Sequence, residues 1–66
     1  MVDRKTIVAL AGVTLTDGTS AIDYLAREPK EWRHAEAKAI MACIHQGWPL
    51  HKANIQAMAR ELNEYR

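Results

Sequence analysis

Gly47-Trp48-Pro49 divides the second half of the chain into two helix-permissive runs, and this break limits what the chain can fold into. From Lys30 to Gln46 no residue breaks a helix, and alanine, the best helix former, recurs at positions 35, 37, 39 and 42. Pro29 suits a first helical turn, where a missing N–H costs nothing. Gly47 can take the left-handed conformation that closes a helix. Pro49 forbids continuation and pre-sets the first turn of a second helix towards Arg66. Trp48, restricted by the proline after it, is expected to be extended. A connection this short predicts antiparallel neighbours. Residues 29–66 therefore read as a helical hairpin and residues 1–28 as its packing segment, within one domain spanning 1–66.

Periodicity assigns the faces. On the first hairpin helix Trp32, Ala35, Ala39, Ile40, Cys43 and Ile44 share one side. Lys30, His34, Lys38 and His45 share the other. Glu36 falls inside the apolar stripe. The favoured reading places it at the stripe's edge, reaching water; the alternative is an interface ion pair with Arg33, three residues back. On the second helix His51, Ile55, Met58, Leu62 and Tyr65 step by four, three, four and three, the spacing of a coiled-coil seam. Leu50, Ala53 and Ala57 form a separate small-residue strip. One strip can face the first helix, and the other needs a cover from the N-terminal segment or a second copy of the chain.

The N-terminal segment is less determined. Ile7 to Leu15 is apolar with little periodicity. A short helix from about Arg4 to Ala11, capped by Asp3 and Gly12, is the favoured reading. The alternative is a strand ending at the Asp17-Gly18 turn signal, which could pair only with its own copy in a dimer. Thr14 to Thr19 reads as a polar loop. Ser20 then caps a helix that runs to about Arg27, with Asp23 as a weak capping-box partner and Thr16 or Asp17 as earlier cap candidates. Ile22, Leu25 and Ala26 are expected on its buried side, with Tyr24 at the rim.

Sixty-six residues make one domain that buries only roughly 60% of its unfolded surface. A single cysteine excludes an internal disulfide, so self-association is the natural remedy. Cys43, on an apolar helical face, reads as a buried thiol in a reducing compartment. Nine basic and eight acidic residues leave a net charge of +1, which disfavours a general nucleic-acid or membrane binder but allows a local basic patch. No stretch has the roughly eighteen apolar residues of a membrane span. Arg4-Lys5 before an apolar run faintly suggests a secretory signal, but cleavage would leave little folded protein, and a cytoplasmic chain is expected.

Little in the sequence points to covalent chemistry. Cys43, His34, His45 and His51 lack the spacing of a structural zinc site, so no metal or other cofactor is expected. Cys43 has no histidine three or four residues away on its own face, and the three glycines are scattered rather than gathered in a phosphate loop. No enzyme is expected. Lys30, His34, Lys38 and His45, with Arg27 just before them, make a basic ridge that could grip phosphates in a symmetric dimer. Leu10-Ala11-Gly12-Val13-Thr14 resembles the turn of a bacterial repressor helix-turn-helix, which implies a recognition helix starting directly after it. The resemblance covers only these residues, and Thr16-Asp17-Gly18 stands where that helix would need an apolar side chain.

The sequence as a whole predicts an all-α domain of three to four short helices with a C-terminal antiparallel hairpin, dimerised chiefly through the last helix. The expected function is a small non-catalytic regulatory or adaptor protein that binds itself and a protein target. Its interface would comprise Trp48, His51, Ile55, Met58, Leu62 and Tyr65, and a hairpin presenting Trp48, Met58 and Tyr65 would occlude a groove on the target. The runner-up is a dimeric DNA-binding transcriptional regulator that uses Arg27, Lys30, Arg33, His34 and Lys38.

Overall fold

The computed structural model describes residues 4–62. They form four helices: α1 (Arg4–Leu10), α2 (Ala21–Arg27), α3 (Lys30–Gln46) and α4 (Lys52–Glu61). There is no strand among the described residues, only an isolated antiparallel bridge between Thr14 and Ser20. The helical reading of the N-terminal run is thus the one adopted. Asp3, the suggested cap of α1, and Tyr65 lie outside the described residues.

Local chemistry sets most boundaries. Ser20 caps α2, its hydroxyl accepting from the Asp23 N–H. Glu28 is extended, as a residue before proline should be, and ends that helix. Gly47 closes α3 at φ 75°, in the left-handed region. Its N–H bonds to Ile44 O, and the Trp48 N–H bonds to Cys43 O. These paired bonds are a Schellman closure, and they wrap the chain back over the end of α3.

The start of α4 differs from expectation. Pro49 does not open the helix; His51 is its N-cap residue, in extended conformation, and the first helical residue is Lys52. The Asn54 amide donates to Pro49 O at 2.9 Å, and the Thr16 N–H donates to Leu50 O at 3.2 Å. The connection is therefore held by side-chain and loop contacts that a proline rule does not contain.

The loop between α1 and α2 is a compact turn. Gly18 donates to Leu15 O, Leu15 to Thr19 O and Ala21 to Val13 O. The Asp17 carboxylate accepts from the Thr19 N–H at 2.8 Å, forming an Asx turn. The Asp-Gly signal did mark a turn, but only the one bridge extends from it. Ten residues separate α1 from α2, running from Ala11 to Ser20, so the tight turn implied by the repressor resemblance is not present.

The core lies where α3 packs on α4 and α2, with α1 resting on α2. Leu10, Ile40, Cys43 and Ile55 are fully buried, and Ala35, Ala39 and Ala59 fill the gaps between helices. Several side chains depart from the helical-wheel reading. Ala21, Tyr24 and Leu25 form the buried side of α2, while Ile22 and Ala26 are exposed. On α3 the buried residues are Ala35, Glu36, Ala37, Ala39, Ile40 and Cys43, whereas Trp32 and Ile44 are exposed. The buried arc of α3 is thus centred on Glu36, Ile40 and Cys43, because α2 and α4 both need cover from it.

Candidate functional site

The outward side of α3 and the turn after it carry large apolar side chains in water. Met41 and Ile44 are one helical turn apart, 40% and 46% exposed. Trp48 follows at 44% exposure, its backbone fixed by the bond to Cys43 O. Trp32 is exposed near the start of the same helix. Scattered apolar side chains on a surface are ordinary, but Met41, Ile44 and Trp48 are three large ones exposed at the end of one helix and its closing turn.

The residues expected at an interface divide into four groups. Trp48 and Leu62 are exposed. Ile55 and Met58 are in the core of the chain itself, so a hairpin cannot present Met58 without unfolding. His51 is exposed at the N-cap of α4, its Nδ1 2.7 Å from Thr16 Oγ1. Tyr65 is not described. The small strip is also divided, with Leu50 half-buried and Ala53 and Ala57 exposed. The other strip of α4, with Ile55 and Met58, packs within the chain, where α4 lies against α3.

Among the ridge residues, Arg27, Lys30, His34 and Lys38 are exposed. Arg33 is spent elsewhere. Its Nε donates to Leu25 O at 3.0 Å and to Glu28 O at 3.2 Å, and its Nη2 donates to Ala26 O at 3.1 Å. It therefore ties α3 to backbone carbonyls at the end of α2, one of which, Leu25 O, also accepts from the Glu28 N–H. No group of three or more histidine, cysteine or acidic side chains among the described residues is placed to hold a metal ion. Burial pushes the Cys43 thiol up, which leaves little thiolate.

A second feature lies inside. Glu36 is fully buried, so neither the edge position nor the ion pair with Arg33 describes it. Its Oε2 meets the Tyr24 hydroxyl, which also lies 3.2 Å from Glu28 Oε1. Its Oε1 has no hydrogen-bond partner among the described residues. Burial pushes the Glu36 carboxyl up to about 7, the Glu28 carboxyl adds to the rise, and the Tyr24 hydroxyl and Lys52 oppose it. The Lys52 ammonium stands 3.8 Å from Glu28 Oε2. Beside this cluster a cavity of about 300 Å³ is lined by Thr16, Tyr24, Arg27, Glu28, His51 and Lys52, among others. Sequence reasoning missed the cluster, although two signals were present: a glutamate inside an apolar stripe, and a tyrosine four residues before another glutamate.

No protein-family model, curated protein or solved structure matches the chain.

Proposed function

We propose that the protein is a small non-catalytic regulatory or adaptor protein that acts by binding protein surfaces, including a second copy of itself. The observation that carries this reading is the patch of Met41, Ile44 and Trp48, held outward by the Schellman turn. A tryptophan on a fixed backbone loses little conformational freedom on docking and offers a large apolar body with a polar tip. The α3–α4 pair is taken as an antiparallel hairpin whose tip is this patch. In a homodimer two patches would meet across a twofold axis, so that each Trp48 covers the partner's α3. That interface replaces one centred on Ile55 and Met58, which serve the core.

Ile44→Glu tests the reading. It places a charge in the patch and leaves the core alone. Sedimentation should show association for the wild-type chain and none for the variant, with unchanged circular dichroism. Loss of helix in the variant would instead mean that Ile44 is structural.

The second reading, a DNA-binding regulator, rests on the exposed ridge of Lys30, His34 and Lys38 spaced four residues apart on α3, with Arg27 beside it. Arg33 is removed from that set by its bonds to α2. Phosphate binding weakens steeply with salt, and apolar association does not. A Lys30→Glu, Lys38→Glu double variant that abolishes duplex DNA retention at low salt would favour the second reading; no retention by the wild type at any salt would remove it.

A further inference from the structure

The Tyr24 hydroxyl carries one hydrogen but faces two carboxyl groups. If Glu28 and Glu36 were both ionised, two anionic oxygens would compete for that hydrogen. Glu36 Oε1 would also be a fully buried anionic oxygen with no hydrogen-bond partner among the described residues. One added proton closes the count. With Glu36 Oε2 protonated, its O–H donates to the Tyr24 oxygen, and the Tyr24 O–H donates to Glu28 Oε1. The other oxygen of Glu28, Oε2, faces the Lys52 ammonium. Glu36 Oε1 is then a neutral carbonyl oxygen, far cheaper to leave unpartnered than an anionic one.

We propose that this chain of donors, from Glu36 through Tyr24 to Glu28, is a proton-operated lock that fastens α2 to α3, and that loss of the Glu36 proton to solvent loosens the joint. The titratable and charged groups that face Glu36 are Tyr24 and Glu28 from α2 and its end, and Lys52 from α4. Arg33 is turned away to the α2 carbonyls and supplies no counter-charge. Deprotonation would therefore put a second negative charge beside Glu28, with only the exposed Lys52 to offset it. The lock joins α2 to α3 and forms one wall of the 300 Å³ cavity through Tyr24 and Glu28.

The direction with pH follows from proton binding. The carboxyl's ordinary value is 4.5, and in the folded chain it is about 7. Between these values the folded chain holds a proton that the unfolded chain has released, so stability falls as pH rises through this window and levels off above it. From pH 5.5 to 8 the folding equilibrium constant should drop on the order of thirtyfold. Glu36→Gln keeps the donor chain, because the amide N–H replaces the acid O–H. This variant should lose that share of the pH dependence and be more stable than the wild type at pH 8. The exposed histidines are common to both proteins and cancel in the comparison.

The experiment is urea unfolding of both proteins at pH 5.5 and 8, together with a carboxyl carbon NMR titration of wild-type Glu36. A flattened pH response in Glu36→Gln and a Glu36 midpoint near 7 support the lock. An equal pH response in both proteins overturns it. So does a Glu36 midpoint below about 5.5, and the NMR arm decides the matter even if the variant fails to fold.

Discussion

At the scale of single residues, most of the polar chemistry here is structural. Arg33 is the clearest case: its planar fork matches three carbonyls at the end of α2, which a lysine cannot reproduce. Arg33→Ala should cost about 2 kcal/mol in urea unfolding, since charge-assisted bonds to three backbone carbonyls are lost. Arg33→Lys should recover less than half of that. Ser20→Ala removes a cap and should cost about 1 kcal/mol, read in the same assay. The Ser20 cap was legible in the sequence because it depends on neighbours in the chain. The role of Arg33 was not, because its acceptors are backbone atoms of another helix and carry no residue-type signal. Glu36 lay between these cases. Its position in the apolar stripe was visible, but its partner Tyr24, twelve residues away, was assigned to the rim of α2.

At the scale of elements, the boundaries of α2 and α3 were readable because glycine, proline and serine act locally. The Gly47 closure depends on a φ of 75°, and nothing lies within 4 Å of where a Cβ would sit. Gly47→Ala should therefore cost only the conformational penalty, about 1 kcal/mol, with no steric addition. Thermal unfolding should show a drop of about 4–8 °C for a chain of this size. The start of α4 was misread because the Pro49 rule competes with tertiary bonds from Thr16 and Asn54. Helix faces were misread for a similar reason. A wheel finds one apolar stripe, whereas α3 is covered from two directions and its buried arc is wide. Trp48→Ala should cost about 1–2 kcal/mol, because the side chain is partly covered and partly in water. A loss of 3 kcal/mol or more would mean that Trp48 is core.

At the scale of the whole molecule, the all-helical architecture could be read from the sequence, but the distribution of apolar surface could not. Which stripe covers which helix depends on how α1, α2 and the loop from Ala11 to Ser20 close over the α3–α4 pair. Those contacts link segments far apart in the chain. Of the seam expected to bind a partner, Ile55 and Met58 are buried within the chain, while Met41, Ile44 and Trp48 on α3 and the turn after it are exposed. No helix among the described residues is long and apolar enough to cross a membrane, so that exposed surface is not accounted for as a membrane span. The most direct test is sedimentation equilibrium of the wild-type chain from micromolar to millimolar concentration, at low and high salt, beside Ile44→Glu. The account predicts concentration-dependent dimers that survive high salt in the wild type and a monomer in the variant with the same helix content. A wild-type chain that stays monomeric throughout, or dimers that the charged variant forms equally well, would contradict it.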